Sequence, residues 1–178
     1  MRALFLFFVV LIWCSEVCAQ KFSAEKGYIK FFSSAAIEDI TAENKMASSI
    51  FNEQTGEIDF SVPINEFQFE KSLMKQSFNE KYLESEKFPQ ATFQGKLSGY
   101  QKPLTTRQNA TATGKMTIHG IAREVVVQGS IENDKGNLVM RAKFKVKLAD
   151  YNITIPKLLW RNIAEQVEVT VVFNYSSL

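Results

Sequence analysis

Residues 138–148 alternate without a break. Leu138, Met140, Ala142, Phe144, Val146 and Leu148 interleave with Val139, Arg141, Lys143, Lys145 and Lys147. Successive side chains of a strand point to opposite faces, so the apolar set takes one face and the basic set the other. The run is longer than the usual strand of five or six residues. At about 3.3 Å per residue it extends roughly 35 Å. One dry face and one wet face sustained over that length predict the wall of a barrel or of a large sandwich. A barrel wall encloses something, which ties this pattern to function.

The same period recurs elsewhere. A first strand is expected over 28–35 and a less regular second over 37–52. The turn at 54–57 holds Gly56, and Ile58, Phe60, Val62 and Ile64 then alternate with Asp59, Ser61 and Pro63. Pro63 marks an edge or the end of regular pairing. Further strands are expected over 91–100, 109–119 and 124–131, with turns at 119–122 and 132–137. Gly95 and Gly99 within 91–100 suggest bends or close approach. An irregular crossover over 150–162, containing Pro156 and Trp160, leads to a last strand in which Val167, Val169, Val171, Phe173 and Tyr175 alternate with polar residues. Residues 70–85 change period. Leu73, Phe78 and Tyr82, with Met74 and Leu83, form a helical stripe between Lys, Glu and Gln. About eight strands joined mostly as hairpins, plus one helix, predict an all-β, eight-stranded antiparallel barrel with the helix near one opening.

The first nineteen residues read as a secretory leader rather than as part of the fold. Arg2 supplies the positive end, residues 3–13 are apolar, and Val17-Cys18-Ala19 gives small residues where cleavage is expected, before Gln20. Eleven apolar residues are too few for a spanning anchor. The residues preceding Cys14 and Cys18 do not suit a lipoprotein signal. The expected location is therefore the periplasm or the exterior.

Residues 20–178 read as one domain. Both cysteines of the chain lie before it, so thiol catalysis and thiolate metal sites are excluded. Without disulfides, the domain must be stabilised by its own core. A net charge of +2 is too balanced to indicate nucleic acid or an anionic membrane surface. No stretch after residue 20 is long and apolar enough to span a membrane.

Candidate chemistry is sparse. His119 is the only histidine; with no G-x-S-x-G elbow and no acid spacing that points to it, it reads as a surface or rim residue in a turn. Glu84 and Glu86 near Lys81 and Lys87 read as a solvated helix end with local ion pairs, in preference to the paired carboxylates of a glycosidase. Arg141, Lys143, Lys145 and Lys147 read as a solvated barrel exterior, with attraction of an anionic head group as the functional alternative. No metal or conventional cofactor is expected.

Three segments, in order, resemble the YceI-like family of lipid-binding periplasmic proteins. Residues 78–93 (FNEKYLESEKFPQATF) resemble the family's helix end followed by F-P-x-A/I-x-F. Residues 113–125 (TGKMTIHGIAREV) resemble its G-x-L-T-I-x-G-V-T-K-x-V. Residues 144–153 (FKVKLADYNI) resemble its F-x-I-x-L-x-D-F/Y-x-I. The resemblance implies a lipocalin-like barrel that binds long amphiphiles, notably polyisoprenoid tails of quinones or polyprenyl phosphates, in an apolar pore. It also implies homodimers among the assemblies.

Alternation and the helix stripe then nominate the interior. Phe60, Val62, Ile64, Met140, Phe144, Val146, Val169, Val171 and Phe173 are expected to face inward, with Phe78 and Tyr82 guarding an opening. The expected activity is non-catalytic binding, sequestration or transport of a long-chain lipid. The alternatives are a filled barrel acting as a stress-response or interaction module, and a hydrolase that uses His119.

Overall fold

The structure is a computed structural model that describes residues 21–34, 39–155 and 164–177. The expected leader and the Pro156–Trp160 part of the crossover lie outside the described residues. Among the described residues nine strands appear: β1 (Lys21–Ser33), β2 (Ile40–Asn52), β3 (Glu57–Pro63), β4 (Gln68–Phe69), β5 (Gln90–Ser98), β6 (Gln108–Ile118), β7 (Ile121–Asp134), β8 (Asn137–Lys147) and β9 (Gln166–Ser177). Eight of them close a ring in the order β1-β9-β8-β7-β6-β5-β3-β2, with β2 pairing back onto β1. Every pairing is antiparallel, and β4 is a short addition to the upper end of β2. The expected eight-stranded antiparallel barrel is present.

Tight turns hold the hairpins. His119 and Gly120 between β6 and β7 both have positive φ (51° and 73°), as do Lys135 and Gly136 between β7 and β8 (52° and 90°). Two positive φ values in a two-residue loop match the twist of the flanking strands. Gly95 on β5 faces Gly114 on β6, and a Cβ on Gly95 would lie 2.4 Å from the Thr113 carbonyl oxygen. Close backbone approach, as expected of Gly95, is thus what the pair provides.

Several expectations are corrected. The first strand begins at Lys21, not at residue 28, because its pairing slips between Ala24 and Gly27 and again between Gly27 and Ile29; each slip breaks the period of two. The helix is only Ser72–Ser77 (α1), followed by a π-helical turn, Phe78–Tyr82. There Leu83 N–H donates to the Phe78 carbonyl at 2.9 Å, widening the turn so that the aromatic residues reach the barrel. β4 was not expected, since two residues are too short to show a period. Leu148 leaves the β8 pattern for a 3₁₀ turn, Leu148–Tyr151. Val139 is buried although alternation groups it with the lysines, so the wet face begins at Arg141.

The two ends of the barrel differ. At the end away from α1, Phe22, Phe51, Tyr100, Phe173 and Tyr175 form an aromatic chain with centroids 6.2–6.4 Å apart. Tyr175 O–H and Ser49 Oγ lie 2.6 Å apart inside it. Burial pushes the Tyr175 phenol far above its ordinary value, with the Ser49 hydrogen bond opposing weakly. This end is sealed.

Candidate functional site: the barrel cavity

Above that floor the barrel is hollow. The cavity has a volume of about 770 Å³ and a wall that is almost wholly apolar. All eleven residues nominated from the sequence lie on this wall. Phe60 and Val62 come from β3, and Ile64 from the 3₁₀ turn that follows it. Met140, Phe144 and Val146 come from β8, Val169, Val171 and Phe173 from β9, and Phe78 and Tyr82 from the π turn at the mouth. Phe173 forms the base, 4.8 Å from Phe60 between centroids. At the mouth, Phe31 stacks on Phe78 at 5.6 Å and meets Phe67 and Phe69 at 5.5 and 5.7 Å. This aromatic roof is incomplete, leaving the interior open beneath α1.

The nominated list leaves out part of the wall: Ile29 and Phe31 on β1, Phe67 just before β4 and Phe69 within it, Met116 and Ile118 on β6, and Val127 on β7. Met116 and Ile118 carry a legible signal, since they alternate with Lys115 and Thr117. Phe31 follows the irregular part of β1, and Phe69 sits in the two-residue strand. Polar groups are few. Tyr82, Ser33 and Ser77 lie toward the mouth. Burial raises the Tyr82 phenol above its ordinary value, keeping it a neutral donor.

His119 stands in the turn at the barrel rim, the second of the two expected settings, and is largely shielded from solvent. Its side chain is 12% exposed. Nδ1 lies 3.1 Å from the Tyr151 carbonyl oxygen, which only accepts, so Nδ1 carries a hydrogen and donates. Nε2 lies 2.7 Å from a Glu84 carboxylate oxygen, and the ring meets Phe88 edge-on at 4.7 Å. Both nitrogens are engaged, which leaves neither to activate a nucleophile. The expectation for Glu84 is corrected with it: Glu84 reaches 35 residues along the chain to His119, tethering the segment after the π turn to the barrel rim. Lys87 Nζ instead sits 4.9 Å over the Phe88 ring. On the outer face, Arg141 pairs with Glu132, Lys143 Nζ lies 2.8 Å from Glu168, and Lys145 and Lys147 are exposed.

The model of the YceI-like domain matches residues 19–175. The chain belongs to the YceI-like family. Solved structures agree on the fold of this YceI-like chain. A polyisoprenoid-binding domain from Saccharophagus degradans, implicated in plant cell wall breakdown, superposes with a TM-score of 0.74 at 15% identity, covering 88% of this chain and 98% of that one. Burkholderia cenocepacia BcnA gives 0.72 at 16% identity, covering 84% and 96%. A Campylobacter jejuni YceI protein gives 0.53 at 17% identity, covering 86% and 85%. A comparison with curated proteins finds no match. Among the described residues no helix is long and apolar enough to cross a membrane.

Proposed function

We propose that the chain is a non-catalytic carrier that sequesters or shuttles a long-chain amphiphile, a polyisoprenoid or quinone-like lipid, in its barrel interior. The observation that carries this reading is the apolar cavity of about 770 Å³ above an aromatic floor. Association costs about 4–15 kcal/mol in lost freedom, and each buried methylene returns about 0.8 kcal/mol. Roughly five to nineteen apolar carbons are therefore needed to break even. At about 30 Å³ per water-sized group, the cavity holds roughly 25, enough for a long tail to bind with a surplus. A short fatty acid would not clear the threshold by much. Tyr82, Ser33 and Ser77 supply hydrogen bonds for a polar head at the mouth. The name of the Saccharophagus relative points to the same ligand class, and the leader-like segment points to the periplasm as the place of action. The engagement of both His119 nitrogens argues against a hydrolase.

The test is to express the full chain in a bacterial periplasm, purify it gently, and record native mass spectra with organic extraction. A stoichiometric adduct of isoprenoid mass is expected. A clean apo mass with no uptake of added polyprenol would overturn the carrier reading in favour of a barrel that acts through its surface.

A further inference from the structure

The hydrogen-bond ladder between neighbouring strands is not continuous along the whole height of the barrel. The β7–β8 ladder runs from Asp134↔Asn137 to Gly129↔Ala142 and stops, although β7 extends to Ile121 and β8 to Lys147. On their other sides both strands stay paired to the rim, β7 to Ile118↔Ile121 with β6 and β8 to Lys147↔Gln166 with β9. A similar parting above Ser48↔Ser61 between β2 and β3 is filled: Asn44 Nδ2 donates to the Pro63 carbonyl at 2.7 Å and β4 pairs with β2. Among the described residues no strand fills the upper β7–β8 seam.

The opening has four defined sides. The Gly129↔Ala142 rung is its sill. Its lintel is the 3₁₀ turn, held to the rim by Arg123 Nε–H donating to the Asp150 carbonyl at 3.0 Å and His119 Nδ1–H to the Tyr151 carbonyl at 3.1 Å. The jambs are the upper halves of β7 and β8. The cavity lies directly behind the sill, lined there by Gly129 and Ala142. Ser130 and Arg141 form an outward-facing pair, with Arg107 Nε on Ser130 Oγ at 3.0 Å and Glu132 on Arg141. Inside the jambs stand Val127 and Phe144; outside stand Val126, 64% exposed, and Lys145.

We propose that this window is a second portal of the lipid cavity, through which an isoprenoid chain too long for the cavity continues out through the barrel wall. The proposal rests on the lipid-carrier reading above. A chain that enters tail-first from the α1 mouth meets a floor in which Phe173 and Tyr175 are 0% and 2% exposed, so the surplus cannot leave there. The cavity holds roughly 25 water-sized groups at about 30 Å³ each; a longer chain must turn, and the window is the apolar-edged gap it meets.

The test uses the full chain with Cys14→Ser and Cys18→Ser, carrying Val126→Cys and Lys145→Cys. Extending the Gly129↔Ala142 register places these two opposite each other across the window, on the outer face. A bis-maleimide bridge bars the opening, and the same pair capped with N-ethylmaleimide is the control. Binding of geranylgeraniol, which the cavity can hold, and solanesol, which it cannot, is then measured. The bridge should weaken solanesol binding at least about tenfold, or 1.4 kcal/mol, relative to the capped protein while leaving geranylgeraniol binding unchanged. Equal solanesol binding by bridged and capped protein would overturn the portal, because the surplus would then leave by the mouth. Failure of the capped protein to bind either alcohol would overturn the carrier reading itself.

Discussion

Gly27 and Phe173 make one joint in the barrel floor, and Gly27→Ala tests it. A Cβ on Gly27 would lie 2.0 Å from Cε1 of Phe173 and 2.4 Å from Cζ, far inside van der Waals contact. The Phe173 ring can give way only upward, into the cavity whose base it forms. It is fully buried, with Phe60 at 4.8 Å on one side and Tyr175 at 6.2 Å on the other. The clash is with the end of a side chain, so the ring would swing upward into the cavity or β1 would shift at its bulge. Overpacking of this kind costs about 1–3 kcal/mol, which for a domain of this size lowers the melting temperature by roughly 2–4 °C per kcal/mol. Urea denaturation should show a lower midpoint at unchanged slope. If the ring moves upward, the variant also loses room for ligand. Phe173→Leu shortens the offending group, so the double variant should be less destabilised than the sum of the singles by about 1 kcal/mol or more. Additive effects, or a Gly27→Ala variant within about 0.5 kcal/mol of the parent, would refute the idea that the Phe173 ring needs the bare glycine.

Three other outcomes are expected. Phe144→Asp puts a carboxylate on the cavity wall and should abolish retention of an isoprenoid in extraction assays, whereas Lys145→Ala, on the outer face of the same strand, should leave it intact; equal retention would overturn the assignment of faces. The raised Tyr175 phenol keeps the folded state neutral while the unfolded chain ionises near pH 10. Stability supplied by this group is thus complete below pH 10 and should fall above it, by at most about 1.4 kcal/mol per pH unit, in denaturation measured against pH; Tyr175→Phe should flatten that slope. At neutral pH, Tyr175→Phe leaves the Ser49 hydroxyl without its partner and should cost about 1–3 kcal/mol, most of it recovered by adding Ser49→Ala.

The barrel was readable where each residue's face depends only on its neighbours in the chain. β8 and β9 pair in unbroken register from Leu138↔Tyr175 to Lys147↔Gln166, so an alternating sequence gave alternating faces, and Met140, Phe144, Val169 and Val171 fell on the cavity wall. The reading failed where local geometry slips. The β1 bulge, the two-residue β4 and the π turn each change the period over a few residues, so Phe31 and Phe69 are not among the nominated cavity residues and the helix ends differ from those expected. His119 and Glu84 read as a turn residue and a helix-end acid with no link between them until the fold brings them to 2.7 Å.

Composition and period therefore determined that this chain forms a strand-built barrel with one apolar face turned inward. Whether that interior is hollow was a matter for the tertiary structure, because it depends on how side chains from all eight strands fill a shared volume. So did the window. Val125 and Val127 on β7, like Phe144 and Val146 on β8, alternate as regularly as the residues below them that pair; only the splay of the two strands in space leaves their facing edges apart.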